Sequence, residues 1–375
     1  MNEDVNEMLE GEEGLDLSSN EGAVYPNAKV RVNKEQYSLL HLKRLVEDRK
    51  EVIVAPDFQR EDVWSPAQRS ELVESILMGI PLPIIYLFEA KDGTKQVVDG
   101  RQRITTILSF LKNEFSLKDL KILPDYNKRN FSGLPPKAQG IFEDYQIFCY
   151  VIQPPTAERI KYDIFDRVNR GGTKLNSQEM RNALYQGSAT ELIDRISRSD
   201  EFKNASDNSV ATKRMRDKYA VLRIIAFYLL NTGKLGKDDS GEPIEYKSDI
   251  DDFLAKVMTW INQKSTEEER QGWEHDIIKA FREISQVIGK DAFRFSSTHG
   301  KRRPINMPLM EAVTYLFLLN WKRPDDDIVK SNLDVLKKEF DESGLFKSKV
   351  DSSVSVRYRY NQVETLAKKL DSIGI

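Results

Sequence analysis

The apolar positions in the first half of the chain follow two periods. Short runs rich in β-branched and aromatic residues predict strands at 30–37, 52–54, 84–88, 95–98 and 146–153. Apolar residues three and four positions apart predict helices at 39–45, 66–78, 101–111, 135–145, 156–168 and 178–186. A hairpin turn at 91–93 makes two of the strands antiparallel, with helices flanking them. This order predicts an α+β domain rather than a doubly wound sheet.

After residue 187 the pattern is helical only. Amphipathic helices are predicted at 189–198, 213–230, 250–263, 267–288, 309–321, 326–340 and 361–373. A chain of 375 residues is long enough for two domains. We predict an α+β domain over 29–187 and an all-helical domain over 188–375, preceded by a tail over 1–28.

The predicted tail is strongly acidic. Residues 1–28 contain eight acids and no Lys or Arg, and they lack apolar periodicity, so a disordered segment is predicted. The whole chain holds 57 Lys and Arg against 60 Asp and Glu, so the remainder is net positive. Such a tail either keeps the protein in solution or competes with DNA for a basic face of the body.

Cysteine content and hydropathy favour the cytoplasm. Cys149 is the single cysteine, so no disulfide forms within the chain. The sequence shows no secretory signal and no apolar run near the roughly 18 residues of a membrane span. Cys149 lies in an apolar strand pattern, where a buried, unreactive thiol is expected. We therefore expect a cytoplasmic protein without a membrane partner.

The candidate chemistry is concentrated where the strand 95–98 gives way to a helix. Asp99 and Gly100 form a turn pair, and Arg101 and Arg103 follow in the first helical turn. The N-terminus of a helix attracts anions, and guanidinium groups bind phosphate oxygens in pairs. This corner is either a phosphate site, for a nucleotide or a nucleic-acid backbone, or a plain turn with two solvated arginines.

A glycine pair follows the helix predicted at 156–168. The sequence Asn-Arg-Gly-Gly at 169–172 permits left-handed backbone and N–H groups that line an anion nest. It is equally a common form of helix C-cap. The stretch is therefore either a second wall of the phosphate site or a connecting loop.

Other catalytic devices are not found in the sequence. The three histidines do not have metal-ligand spacing, and neither a Walker A motif nor a His-based HNH nuclease motif occurs. Two basic groups in the helical half predict contacts with DNA phosphates by Lys213, Arg214, Arg216, Lys301, Arg302 and Arg303. Further members of these groups are Lys218, Arg223, Arg294, Arg357 and Arg359. The alternative is a solvated charged surface.

The Asp-Gly-Arg-Gln-Arg sequence at 99–103, followed by Ile-Thr-Thr, resembles the Asp-Gly-Gln-Gln-Arg signature of the GmrSD-type restriction endonuclease N-terminal domain family. Three more stretches in the matching order support this resemblance: 56–64 with Phe-Gln-Arg and Trp, 68–83 ending in Ile-Pro-Leu-Pro, and 165–183 with Asn-Arg-Gly-Gly. Arg101 stands where the family usually has Gln, which adds positive charge and changes the side-chain chemistry at that position.

The resemblance implies a ParB/sulfiredoxin-like fold, and nucleotide binding or hydrolysis coupled to DNA restriction or phage defence. Sulfiredoxin activity itself is excluded, because Arg101 occupies the position of the required cysteine. The residues implied in binding an NTP (ATP, GTP or CTP) are Gln59, Arg60, Gly100, Arg101, Thr105, Asn169, Arg170, Gly171 and Gly172. Those implied in catalysis are Asp99, Gln102 and Arg103, with Asp99 also binding Mg²⁺.

Three functions are compatible with these observations. The first is an NTP-binding, Mg²⁺-dependent component of a defence system, whose helical domain contacts DNA. A separate nuclease partner and an oligomer are both compatible with this function. The second is a non-enzymatic DNA-binding adaptor whose arginine corner contacts phosphate directly. The third, the least favoured, is a ParB-like nuclease that uses Asp57, Glu61 and Asp99.

Overall fold

The computed structural model describes residues 30–54, 64–90, 92–154, 156, 160–161, 164, 167–168, 176–238, 241–297 and 301–374. These residues fall into two compact units, 30–168 and 176–374. Each unit has its own cluster of buried apolar side chains. The predicted acidic tail over 1–28 lies outside the described residues.

The first unit contains a mixed sheet. Its strands are β1 Arg31–Ser38, β2 Val52–Ile53, β3 Ile85–Glu89, β4 Lys95–Asp99 and β5 Gln146–Gln153. Their order across the sheet is β1-β5-β3-β4-β2. β1 is antiparallel to β5, and β4 is antiparallel to β3, whereas β3 is parallel to β5 and β2 is parallel to β4. The predicted α+β class is confirmed, while the ParB/sulfiredoxin-like topology stays a prediction.

Four helices of this unit pack against one face of the sheet. They are α1 Leu39–Glu47, α2 Pro66–Leu77, α3 Arg101–Leu111 and α4 Pro136–Asp144. Their apolar residues share a core with Ile85, Leu87, Val97, Ile147, Cys149 and Val151 of the strands. The predicted helix starts are confirmed, because the Ser38 hydroxyl accepts from the His41 N–H, and Ser65 and Gln68 form a capping box. Gly79 follows α2 in the left-handed conformation.

The second unit is helical, as predicted. Its helices are α5 Ser177–Leu184, α6 Ser188–Arg198, α7 Asp200–Ala205, α8 Arg216–Asn231, α9 Ile250–Lys264, α10 Glu267–Val287, α11 Met307–Leu318, α12 Asp326–Ser343 and α13 Ser353–Ile373. α8 lies at the centre, since its residues 217–229 are all buried. Together the helices enclose one large apolar core.

The short helix α7 was not predicted, and three of the helix limits that differ from the prediction have a local cause. α8 begins at Arg216 rather than 213, because Arg214 and Met215 adopt left-handed φ values of 57° and 56° that interrupt the helix. α13 begins at Ser353 rather than 361, after the Ser352 hydroxyl caps it. α5 begins at Ser177 rather than 178, because Asn176 caps it in a capping box with Glu179.

The domain limits predicted from the sequence stay a prediction. The division between the compact units falls between Lys174 and Leu175, ahead of α5. α5 contacts the turn 213–215 and α8 of the helical unit. Among the described helices, none has the length and apolar character required to cross a bilayer.

Candidate functional site

β4 passes into α3 through Gly100, which has a left-handed backbone with φ 94° and ψ 10°. A side chain is disfavoured here, because this φ is costly for other residues and an added Cβ would lie 2.8 Å from Ile85 Cγ1. The Gly100 carbonyl accepts the Ile104 N–H at 2.9 Å, which starts the helix. None of the described side chains caps α3. The predicted strand, turn and helix are therefore all present at this corner.

A β-bulge lies immediately before the corner. Leu87 pairs with Val97, but the next pair is Tyr86 with Asp99, so Val98 is the extra residue. A bulge bends its strand and increases the local twist. The end of β4 is therefore turned out of the regular path of the sheet just before the helix begins.

Asp99 and Arg103 form an ion pair across the first turn of α3. Arg103 Nη2 lies 2.7 Å from Asp99 Oδ2, and the two side chains are 11% and 31% exposed. The same guanidinium donates to the Pro83 carbonyl and, at 3.5 Å, to the Ile84 carbonyl. Arg103 therefore joins the helix start to the loop ahead of β3, and it is not a solvated side chain.

The other predicted residues of the helix start lie beside this pair. Arg101 and Gln102 are half-buried, and Thr105 is exposed, whereas the intervening Ile104 is buried in the core. The structure thus brings Asp99 to Thr105 together on one helical turn and the strand end before it.

The remaining predicted site residues lie outside the described residues. They are Gln59, Arg60, Asn169, Arg170, Gly171 and Gly172, together with the alternative acids Asp57 and Glu61. β2 runs parallel to β4, so both strands run towards the same end of the sheet. The chain therefore leaves β2 towards residues 55–63 at the end where the corner is located.

The thiol near this site is inert. Cys149 is 1% exposed, and burial raises its pKa to about 12, with a smaller contribution from Glu35. Arg103 and Lys95 act in the opposite direction but do not compensate for burial. The predicted burial of this cysteine is confirmed, and a thiol with this pKa stays protonated near neutral pH.

Residues 42–186 match the family model described as the GmrSD restriction endonuclease, N-terminal domain. This segment is similar to a GmrSD-type N-terminal domain. The matched residues include the corner at 99–103 and extend through α5. No curated protein matches the chain. The resemblance proposed from the sequence motifs is confirmed, and it connects the chain with DNA restriction.

Outside the GmrSD-type domain, the predicted DNA-contacting residues are divided between exposed and paired side chains. Lys213 and Lys301 are exposed. Arg214 pairs with Glu179 at 3.3 Å, and Arg302 bridges Asp207 and Asp291, each at 2.7 Å. Arg303 is held by Asp341 at 2.9 Å, and Arg216 is half-buried. Three of these arginines therefore already bind carboxylates of the helical unit.

Phosphate contacts by Arg223, Arg294 and Arg359 are excluded, which corrects the sequence interpretation. Each of these side chains is 2% exposed or less. Arg223 binds Glu311 and, at 2.6 Å, Asp351. The basic spacing on α8 predicts either DNA contacts or a solvated face, but this helix is buried on all sides, and its charge is neutralised within the core.

The sequence contained one signal for this buried network. Glu311 is the single charged residue within the apolar helix α11. Its side chain is fully buried, between Arg223 and, at 3.5 Å, Arg359. An isolated acid within an apolar helix predicts a buried cationic partner, because an unpaired charge is not tolerated there.

Proposed function

We propose that the GmrSD-type domain binds a nucleoside triphosphate with Mg²⁺ at the 99–103 corner, and that the chain acts in DNA restriction or phage defence. The observation that carries this proposal is the corner itself. Gly100, where a side chain is disfavoured, precedes a helix start that carries two arginines and has no side-chain cap among the described residues. This combination is suited to polyphosphate, because backbone N–H groups and guanidinium groups both prefer anionic oxygens.

When phosphate binds, Arg103 would exchange Asp99 for a phosphate oxygen as its partner. A phosphate oxygen that approaches Arg103 competes with Asp99 for a guanidinium already held by the carbonyls of Pro83 and Ile84. Arg103 would thus stay in place while Asp99 is released. The released carboxylate is the ligand type that Mg²⁺ prefers.

Binding of Mg²⁺ would depend on the bound nucleotide. The part of the chain that the structure describes contains no group of three or more His, Cys, Asp or Glu side chains able to hold a metal ion. Mg²⁺ commonly uses one or two protein carboxylates together with substrate phosphates and water. Asp99 fits this donor set as the protein ligand, with Arg101 beside the phosphates and Gln102 positioned to orient a water for hydrolysis.

Binding by Gln59, Arg60, Thr105 and the 169–172 stretch stays part of the proposal, as does contact of the helical unit with DNA. Lys213 and Lys301 are exposed in that unit, whereas Arg214 and Arg302 would have to exchange a carboxylate partner for phosphate. Nucleotide state would bias DNA binding only if the two ligands favour the same state of the protein.

Calorimetric titration tests this proposal. The full chain is titrated with ATP, GTP and CTP in the presence of Mg²⁺, and Arg101→Ala and Arg103→Ala are compared with the wild type. We expect one nucleotide to bind and each variant to bind it at least about tenfold more weakly, because each loses a charge-assisted contact. Arg49→Ala is the matched control, since Arg49 is an exposed arginine of the same unit.

Thermal melting of each variant separates lost binding from lost folding. A stable Arg101→Ala protein with unchanged nucleotide affinity would remove Arg101 from the site. If no nucleotide binds to the wild type, the proposal fails, and the corner is then tested as a direct DNA-phosphate contact.

A further inference from the structure

The sheet of the first unit has a second face, opposite the helices. We call the outward positions Val32, Lys34, Gln36, Tyr86, Phe148 and Tyr150 the outer face. In register, Gln36 lies opposite Phe148, and Lys34 lies opposite Tyr150, which is also paired with Tyr86. These six residues therefore form one continuous surface across β1, β5 and β3.

Large apolar side chains on this face are exposed. Phe148 is 55% exposed, and Val32 is 50% exposed. Further along the same face, Phe88 and Ile152 are buried. Single exposed apolar residues are ordinary, but two that share one sheet face with two half-buried tyrosines indicate a surface with a binding partner.

The aromatic rings on this face are arranged in contact with a cation. The rings of Tyr86 and Tyr150 lie 5.7 Å apart, edge to face. Lys34 Nζ lies 5.7 Å from the centre of the Tyr150 ring. Phe148 stands two residues from Tyr150 on the same strand, so its exposed ring lies next to the Tyr150–Tyr86 row.

Charge is segregated between the two faces of β1, β3 and β5, while Asp99 of β4, opposite Tyr86 in register, is paired with Arg103. Glu35 and Glu89, the acids of β1 and β3, alternate onto the helix-covered face, where Lys95 pairs with Glu35 at 3.1 Å. The described outward positions of β1, β3 and β5 include Lys34 and no Asp or Glu. The outer face therefore combines stackable rings with positive charge, which suits a polyanion that carries planar bases.

We propose that the outer face binds single-stranded nucleic acid. One base would stack on Phe148, its neighbour would lie against Tyr150 and Tyr86, and Lys34 would contact the phosphate between them. Stacking of bases on aromatic side chains has little sequence preference, because every base has a π face. The inference does not depend on the nucleotide site, and β1, which supplies Lys34, lies outside the matched family segment.

Fluorescence anisotropy with labelled oligonucleotides tests this proposal. The full chain, without added nucleotide, is titrated with a twelve-base oligo-dT, the matching oligo-U, and a duplex of the same length, at two salt concentrations. We expect Phe148→Ala to weaken single-strand binding about tenfold and Phe148→Trp to preserve it, because stacking is lost in the first variant only. Ile122→Ala is the control, since Ile122 is 59% exposed in the same unit.

Lys34→Ala should weaken binding and reduce its dependence on salt, because one phosphate contact is lost. The dT and U arms distinguish DNA from RNA. Unchanged single-strand affinity in Phe148→Ala would overturn the proposal, as would binding of the duplex alone. A change in sedimentation without a change in oligonucleotide affinity would instead assign the face to a second copy of the chain.

The two proposals fail separately. Phe148→Ala should retain nucleotide binding in the calorimeter, and Arg103→Ala should retain oligonucleotide binding. Loss of both in either variant would show that one ligand occupies a shared site, and it would contradict an independent outer face.

Discussion

Two arginine–carboxylate sites of this protein have the same chemistry and opposite surroundings. At the corner, Arg103 pairs with Asp99, whose side chain is 31% exposed. In the helical unit, Arg223 and Arg359 bind Glu311 and Asp351 within the core. Burial alone would lower the pKa of Arg223, but these carboxylates outweigh it and raise that pKa. Buried partners cannot exchange for water, whereas an exposed carboxylate can be replaced by a ligand. The comparison indicates which pair serves folding and which is available for binding.

Breaking the buried network should have the largest effect. Arg223→Met leaves Glu311 and Asp351 without their main cation, so we expect the free energy of unfolding to fall by about 3–5 kcal/mol. Urea denaturation followed by tryptophan fluorescence measures this change, because three of the four tryptophans, Trp260, Trp273 and Trp321, lie in the helical unit.

Arg282→Met is the control for this substitution. Arg282 also binds a carboxylate, Glu201 at 2.7 Å, but it is 58% exposed, so the expected loss is below about 1 kcal/mol. Equal losses in the two variants would show that burial does not distinguish these ion pairs.

Gly100→Ala should have the next largest effect. The left-handed backbone and the approach of Ile85 both oppose a Cβ, so we expect a loss of about 1–3 kcal/mol, concentrated at the corner. Hydrogen exchange of the β4 and α3 amides measures it, and nucleotide binding should be lost in parallel. Gly140→Ala in α4 has nothing within 4 Å of the added Cβ and should be neutral or stabilising. Equal exchange in the two variants would contradict a constrained corner.

Asp217→Asn should have a smaller effect of opposite sign. Burial raises the pKa of Asp217 above its ordinary 3.8, so the ionised carboxylate destabilises the fold increasingly as pH rises from 3.8 through the raised value. The amide removes this penalty, and we expect a gain of about 1 kcal/mol at pH 7 that shrinks as pH approaches 4. Urea midpoints at the two pH values measure the gain. Asp200→Asn, at a site 90% exposed, should show no such trend.

Asp99→Asn should have the smallest effect on stability. The pair is partly exposed, so the loss should stay below about 1 kcal/mol in the same urea assay. A loss above about 2 kcal/mol would place this pair with the buried network and weaken the case for ligand exchange at the corner.

The sequence was most informative where structure depends on near neighbours. The Ser65 capping box, the short strands and the turn at Gly100 all follow from residues within a few positions of one another. The contacts of Arg103 with the carbonyls of Pro83 and Ile84 do not follow from near neighbours. They join segments about twenty positions apart along the chain. Its role in holding the loop was therefore not predicted.

Burial of charge was the main error. Apolar periodicity identifies a helix with one buried face, but α8 is buried on all sides, and its Arg223 has the spacing of a surface residue. The same reason explains the late start assigned to α13, where the buried Arg359 interrupts an otherwise apolar stripe. Glu311, which lies 88 positions from Arg223 along the chain and also pairs with Arg359, makes these positions compatible with the core.

The pairing of β1 with β5 has a practical consequence for the choice of expressed fragments. β1 precedes residue 42, yet it pairs with β5 along its full length, and Tyr37 is part of the core. A fragment cloned as 42–186 would lack β1 and leave the edge of β5 unpaired beside Phe148. It would also retain α5 without the 213–215 turn, where the Arg214 carbonyl accepts from Asn176. A fragment of 30–174 keeps the sheet whole, so expression boundaries are better chosen by strand pairing than by sequence matching.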